Sequence, residues 1–211
     1  MVPKGIEVKS SEATVREDLL ASATNLFTRK GYASTTVREI VAAAGVTKPV
    51  LYYYFRNKEG IYLELIHPAF EKLDALLDAA RGGRGSATER ILRLSDRVFS
   101  LFMENVEVAR LMYSIYYGPP QGAPFFDFDS YHLKVQDAIR RLVKEGMRHK
   151  EFRRGNEDDM MWTIVGTINV AMELQLCHPE LAIDRKRLAR ILHLIFNGIT
   201  TEAHRTKVRS P

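Results

Sequence analysis

Residues 36–58 read TVREIVAAAGVTKPVLYYYFRNK, and they decide the fold. Thr36, Val37, Arg38 and Glu39 have the form of a capping box: the Thr hydroxyl can take the Glu39 amide, and the Glu39 carboxylate can reach back. Val37, Ile40, Val41 and Ala44 then recur at helical spacing and give one apolar face. Gly45 falls where a helix ends in the left-handed conformation, which glycine adopts at little cost. Thr47 is placed to cap a second helix, with Pro49 in its first turn, where a missing N–H does no harm. That helix is predicted to run to about Phe55, and Asn57 to cap the next one.

Helix, glycine turn, short helix is the helix-turn-helix plan, whose second helix enters the DNA major groove. Thr47, Lys48 and Pro49 lie at the N-terminal end of that helix, the end that meets base edges. Tyr52, Tyr53 and Tyr54 are consecutive and point around the helix, so at least one must face solvent or a ligand. A phenol hydroxyl is a good phosphate donor. The competing reading, a hairpin that merely packs, has no need of an exposed Lys-Pro-x-x-Tyr-Tyr face.

Outward from this stretch, residues up to about Lys9 read as a leader, in which Lys4 and Lys9 could touch DNA. A first helix is predicted from Ser10 or Ser11, with Val15, Leu19, Leu20, Ala23, Leu26 and Phe27 as its buried stripe and Gly31 as its end. On the other side, the helix opened by Asn57 carries Ile61, Leu65, Phe70, Leu73, Leu76 and Leu77. Pro68 interrupts it and should kink or break it. Arg81-Gly82-Gly83-Arg84-Gly85 is a break. It lacks the Lys-Ser/Thr ending and the preceding strand of a phosphate loop. Ser86-Ala87-Thr88-Glu89 is a second capping box.

Further helices follow: one with Ile91, Leu94, Val98 and Phe99, a short one with Leu111 and Ile115, and one with Val135, Ile139 and Leu142. Residues 118–124 form a Gly/Pro loop, and residues 150–154 a charged connector. Asn156 caps a helix that Pro179 stops, and Asp184 caps the last helix, with Leu188, Ile191, Leu192, Ile195, Phe196 and Ile199. Two adjacent, strongly apolar helices can pair with the same two helices of another chain in a four-helix bundle, and Gly166 and Gly198 would let them approach closely.

The chain has 211 residues, 45% hydrophobic and 27% charged, with a net charge of +5, which permits nucleic-acid binding without establishing it. The single cysteine, Cys177, excludes an internal disulfide and suits a reducing compartment, so a cytoplasmic location is expected. Cys177 itself reads as a buried helix residue rather than a nucleophile. No signal peptide is expected from the N-terminal sequence, and no apolar segment is expected to approach the roughly 18 residues that span a bilayer. No membrane partner, metal or cofactor is expected. His67, His132, His149, His178, His193 and His204 are scattered without a His-Glu-x-x-His pair, and no Gly-x-Ser-x-Gly elbow occurs, so catalytic residues are not assigned and an enzyme is not expected.

Residues 19–32, LLASATNLFTRKGY, followed by residues 35–66, TTVREIVAAAGVTKPVLYYYFRNKEGIYLELI, closely resemble the DNA-binding domain of the tetracycline-repressor (TetR) family. The motif order is that family's: Phe-x-x-x-Gly-Tyr, then T-x-x-x-I-x-x-x-A-G-V, then L-Y-x-Y/H-F, then a Lys-Glu pair opening a long helix. The resemblance covers the first quarter to third of the chain. It implies an all-α fold, with an N-terminal three-helix helix-turn-helix DNA-binding domain (residues 1–56) and a C-terminal helical ligand-binding and dimerisation domain (residues 57–211). It implies that Arg38 reads a guanine, that Lys48, Pro49 and Tyr52 meet base edges, and that Thr36, Thr47, Tyr53, Tyr54 and Lys58 bind phosphates. Val50 stands where the family's type member has a small hydroxyl, so one phosphate contact is expected to be missing.

The implied partners are a double-stranded DNA operator, a small-molecule inducer and a second copy docked through the last two helices. For the ligand, Phe99, Phe102, Met103, Met112, Tyr113, Tyr116, Tyr117, Phe125, Phe126, Met147, Trp162 and Met172 are more large, adaptable side chains than a bundle of this size needs. Tyr113, Tyr117 and Glu173 could add polar contacts. An apolar or aromatic inducer that releases a repressor from a near-palindromic operator is the expectation. The alternative is a helical DNA-binding regulator with no small-molecule ligand.

Overall fold

The computed structural model describes residues 6–118 and 122–199, with side chains from Thr14 onward. Among these residues the chain is all-α. The helices are α1 (Ile6–Lys30), α2 (Val37–Ala43), α3 (Lys48–Phe55), α4 (Lys58–Arg81), α5 (Ala87–Glu104), α6 (Val106–Tyr116), α7 (Phe128–Arg148), α8 (Glu157–Cys177) and α9 (Arg185–Ile199), with one 3-10 turn at Pro179–Leu181. Lys4 and the C-terminal Arg205, Lys207 and Arg209 lie outside the described residues. The first helix begins at Ile6, earlier than Ser10, and takes in residues 6–9 of the expected leader.

Two compact units divide the chain. The first comprises residues up to Ala69 together with Glu107–Phe126. Its core forms where α1 sets Leu19, Ala23 and Phe27 against Ile40 of α2, Leu51 and Phe55 of α3, and Ile61, Tyr62 and Ile66 of α4, all essentially buried. Burying such side chains contributes about 1.5–3 kcal/mol each. Tyr32 joins this core edge-on to Tyr62, with ring centroids 5.2 Å apart. Burial pushes the Tyr62 phenol up to about 12.

The second unit comprises Phe70–Val106 and the chain from Asp127 onward. Here α5, α7, α8 and α9 pack around Ile91, Leu94, Phe99, Ile139, Val143, Met161, Ile164, Leu188, Leu192 and Phe196. The boundary between the units falls inside α4, just after Pro68. The helix continues through Pro68, so of the kink or break expected there the break does not occur. Pro68 and Glu64, the residue whose carbonyl loses its partner, both lie on an exposed side of the helix where water can serve that oxygen.

The connector at residues 150–154 differs most from its reading as a charged loop. Phe152 is 2% exposed and stacks on Phe196, centroids 5.8 Å apart. A Cβ on Gly146 would fall into the Phe152 ring, so this helix end requires glycine. Glu151 turns inward and accepts from Ala87 N at 2.7 Å, Thr88 N at 2.7 Å and Thr88 Oγ1 at 2.5 Å, holding a carboxylate on the open amides of α5. Arg90, 7% exposed, donates to Glu145 at 2.6 Å and to the Ala80 and Arg81 carbonyls at 3.1 and 3.2 Å, which closes the C-terminal end of α4.

Two further expectations are corrected. Cys177 is the last residue of α8 and is exposed, not buried. By length and composition α8 is apolar enough to cross a membrane, with a mean hydropathy of 1.2, against the expectation that no segment would be. The reason is that α8 is apolar on two sides. One side supplies Met161, Ile164, Val165, Ile168 and Ala171 to the core, and the other carries Trp162 and Val170 outward.

Candidate nucleic-acid interface

Helices α2 and α3 are held by the local devices their sequence predicts. Glu39 N donates to Thr36 Oγ1 at 3.2 Å, and Thr36 N donates to the Glu39 carboxylate at 2.9 Å, completing the capping box. Gly45 has φ +68°, and the Val46 amide reaches back to the Val41 carbonyl at 2.9 Å, so the turn closes on itself. Lys30 of α1 pairs with Glu39. That pair, followed by the Thr36 bonds, holds the Glu39 carboxyl well below its ordinary value, at about 2.

The N-terminus of α3 is built differently. Thr47 is the N-cap with extended backbone, yet its hydroxyl makes no capping hydrogen bond. Pro49 offers no N–H, and the Val50 amide goes to the Thr47 carbonyl at 3.1 Å. The Thr47 hydroxyl is therefore left at the protein surface beside Lys48 and Pro49, both exposed. Leu51 and Phe55 anchor the opposite side of α3. This anchoring turns Tyr52 and Tyr53 outward, at 47% and 76% exposure.

Of the residues assigned to DNA, Thr36, Arg38, Thr47, Lys48, Pro49, Tyr52 and Tyr53 are thus exposed together on the α2–α3 element. Tyr54 is half-buried, with its ring 5.0 Å from Tyr53 and 6.1 Å from Phe55. Lys58 is turned inward: its amine donates to the Tyr32 carbonyl at 2.9 Å and the Thr35 carbonyl at 3.0 Å. Val50 is half-buried.

Two residues that orient this face, Thr35 and Gly60, carried no sequence assignment, whereas Asn57 was expected as a cap. Thr35, 1% exposed, donates its hydroxyl to the Gly31 carbonyl at 2.9 Å. Asn57 Oδ1 accepts from Gly60 N at 2.7 Å, and a Cβ at Gly60 would fall on the Phe55 carbonyl, so α3 and α4 meet too closely for any side chain there. The run Asn57-Lys58-Glu59-Gly60, with a glycine inside a helix, was the signal.

The residues assigned to a ligand belong to both units. In the first, Met112, Tyr113 and Phe126 are half-buried, whereas Tyr116, Tyr117 and Phe125 are exposed. Tyr117 lies 5.2 Å from Tyr113 and 4.8 Å from Tyr116 between ring centroids. In the second, Phe99 is a core residue at 1% exposure, with Phe102 stacked on it at 6.3 Å. Met147 and Met172 pack against the same core, whereas Met103, Trp162 and Glu173 are exposed.

The sequence model described as bacterial regulatory proteins, tetR family, matches residues 19–65, which span the capped helix pair and its brace. The chain is 32% identical over 108 residues to the uncharacterized HTH-type transcriptional regulator YdgC of Bacillus subtilis (strain 168), a match that covers 49% of this chain and 55% of YdgC. It therefore spans little more than half of that relative's length. It is 26% identical over 163 residues to the HTH-type transcriptional repressor KstR2 of Mycolicibacterium smegmatis, covering 75% of this chain and 78% of KstR2. Among solved structures, a gamma-butyrolactone receptor (ArpA-like protein) shares the fold over 93% of this chain and 94% of its own, with a TM-score of 0.67 at 22% identity. With the helix-turn-helix motif and these likenesses in agreement, residues 19–65 are similar to the tetR family of bacterial regulatory proteins, and the described residues share the helical fold of that solved receptor.

Proposed function

We propose that the chain is a sequence-specific, DNA-binding transcriptional regulator of the cytosol, a repressor that leaves a near-palindromic operator when its helical body takes up a small apolar or aromatic molecule. The observation that carries the reading is the exposed group at the start of α3. Thr47, Lys48 and Pro49 stand out beside Tyr52, Tyr53 and Arg38, with no hydrogen bond spent on capping at Thr47. Arg38 can bond a guanine edge bidentately. Lys48, Pro49 and Tyr52 meet neighbouring base edges. The hydroxyls of Thr36, Thr47 and Tyr53 serve phosphates, with Tyr54 beside them.

Two copies are needed to present two such heads. The outer side of α8 with α9 suits that pairing. Trp162, Val170 and Leu194 are exposed there at 54%, 51% and 71%, and a Cβ added at Gly166 or Gly198 would meet nothing within 4 Å. A second pair of the same helices would cover this face. Residues 1–56 then read DNA, and residues 57–211 dimerise and sense the ligand. An inducer need only favour the arrangement in which the heads miss adjacent grooves, because a ligand shifts an equilibrium by its differential affinity.

Selection from a random duplex library tests the reading. It should return half-sites about one helical turn apart, roughly 34–36 Å. Absence of any enriched duplex, or a strictly monomeric protein, overturns it. A regulator without a small-molecule ligand is the second reading, favoured by Phe99 being spent on the core. A panel of apolar and aromatic compounds that leaves the melting temperature unmoved would select it.

A further inference from the structure

Lys58 opens α4, where an amine among outward-pointing amides fits a phosphate. Its atoms are committed elsewhere. The ammonium donates to the carbonyls of Tyr32 and Thr35, 2.9 and 3.0 Å away, and stands 4.1 Å from the Tyr32 ring centroid. That ring is itself buried, with Phe27 and Tyr62 each 5.2 Å away between centroids. Burial draws the amine's pKa below the ordinary lysine value.

Both carbonyls belong to the loop between α1 and α2, and the next residue, Thr36, is the N-cap of α2. Thr35 ties the same loop back to α1 through the Leu26 carbonyl, 3.3 Å away. At the other end, α3 passes into α4 through Arg56 and Asn57, where Asn57 N donates to the Phe55 carbonyl at 2.6 Å. Lys58 thus closes a ring that runs from the loop through α2 and α3 to the first turn of α4.

We infer that Lys58 is a positioning residue for DNA reading and not a phosphate ligand: its ammonium pins the loop that launches α2 to the start of α4, and so fixes the pose in which Arg38 and Lys48 meet the bases. This rests on the DNA-binding function proposed above. A lysine suits the task because a compact ammonium serves two carbonyls beneath an aromatic ring, which a planar guanidinium cannot do in the same space. A phosphate has no such preference and takes arginine as readily as lysine. Lys58→Arg therefore separates the two roles.

The full chain, its Lys58→Arg variant and its Lys58→Met variant are titrated against a duplex selected by the wild type and against an unrelated duplex of equal length, over a series of salt concentrations. Both variants should bind the selected duplex about tenfold more weakly. The unrelated duplex should be bound as before and the salt slope should not change, readouts that a bystander structural role would not separate in this way. Amide exchange over residues 32–36 should speed up in the free variants. The inference is overturned if Lys58→Arg behaves as wild type while Lys58→Met weakens both duplexes alike and lowers the slope by about 0.9 per head. If Lys58→Met does not fold, Lys58→Arg alone decides between these outcomes. If the wild type selects no duplex, the DNA reading fails, and exchange alone decides the pin: faster exchange supports it, and unchanged exchange removes it.

Discussion

Two regions of this molecule carry charge at helix ends, and they treat it in opposite ways. At the start of α5, Glu151 and Arg90 are buried at 6% and 7% exposure, and hydrogen bonds bind each to backbone groups. At the α2–α3 element, Arg38 and Lys48 are exposed, and neither makes a hydrogen bond or ion pair among the described residues. A buried charge must be satisfied inside the fold or it destabilises it. A recognition charge must be left for the partner. Charge alone does not separate the two regions; the partner that each side chain meets does.

Substitution can break this contrast. The largest effect is expected from Glu151→Ala, which strips the Ala87 and Thr88 amides and the Thr88 hydroxyl of their acceptor. Denaturant unfolding should show a loss of roughly 3 kcal/mol, with Glu151→Gln losing less. Next comes Gly60→Ala, whose Cβ would strike the Phe55 carbonyl. Forcing the α3–α4 junction apart should cost about 2 kcal/mol and lower operator affinity with it. Lys48→Ala sharpens the contrast from the other side. It should leave stability within about 0.5 kcal/mol, yet lose about 1.5 kcal/mol of operator binding and change the preferred bases in a selection experiment. Thr36→Ala removes the capping hydroxyl and should lower stability by about 1 kcal/mol.

The smallest effect is in pH. The Glu39 carboxyl lies near 2 in the fold against an ordinary 4.5, so its contribution is complete above about 4.5 and is lost as pH falls toward 2. Unfolding followed by circular dichroism between these values should show the decline, and Lys30→Met should flatten it. Equal declines in both proteins would remove Lys30 as the cause.

The sequence was most legible where structure is set within a few residues. The capping boxes at Thr36 and Ser86, the left-handed Gly45 and the caps at Asn57, Asn156 and Asp184 all stand where their local patterns put them. What could not be read depends on contacts across the chain. Nothing beside Glu151 or Phe152 announces that one caps a helix more than sixty residues earlier and the other stacks on Phe196. Arg90 looked like any helix-surface arginine, and Cys177 like the buried end of a helix that stops one residue later than the core does. Among the DNA-assigned residues, the family resemblance gave Arg38, Lys48 and Tyr53 roles that need an outward side chain, and all three are exposed. It could not show that Lys58 would find two carbonyls before it could find a phosphate.

Two threonines, at 36 and 47, begin the two helices of the reading element, and their protons are in different hands. The Thr36 hydroxyl already donates to Glu39 at 2.9 Å while accepting from the Glu39 amide. A phosphate arriving at Thr36 must win that proton from a carboxylate, and the carboxylate repels it. At Thr47 no such contest arises. Docking should accordingly begin at Thr47 and reach Thr36 only after the Thr36 hydroxyl has rotated, so small anions in the medium, which face the same contest at Thr36, will compete for the first contact before the second.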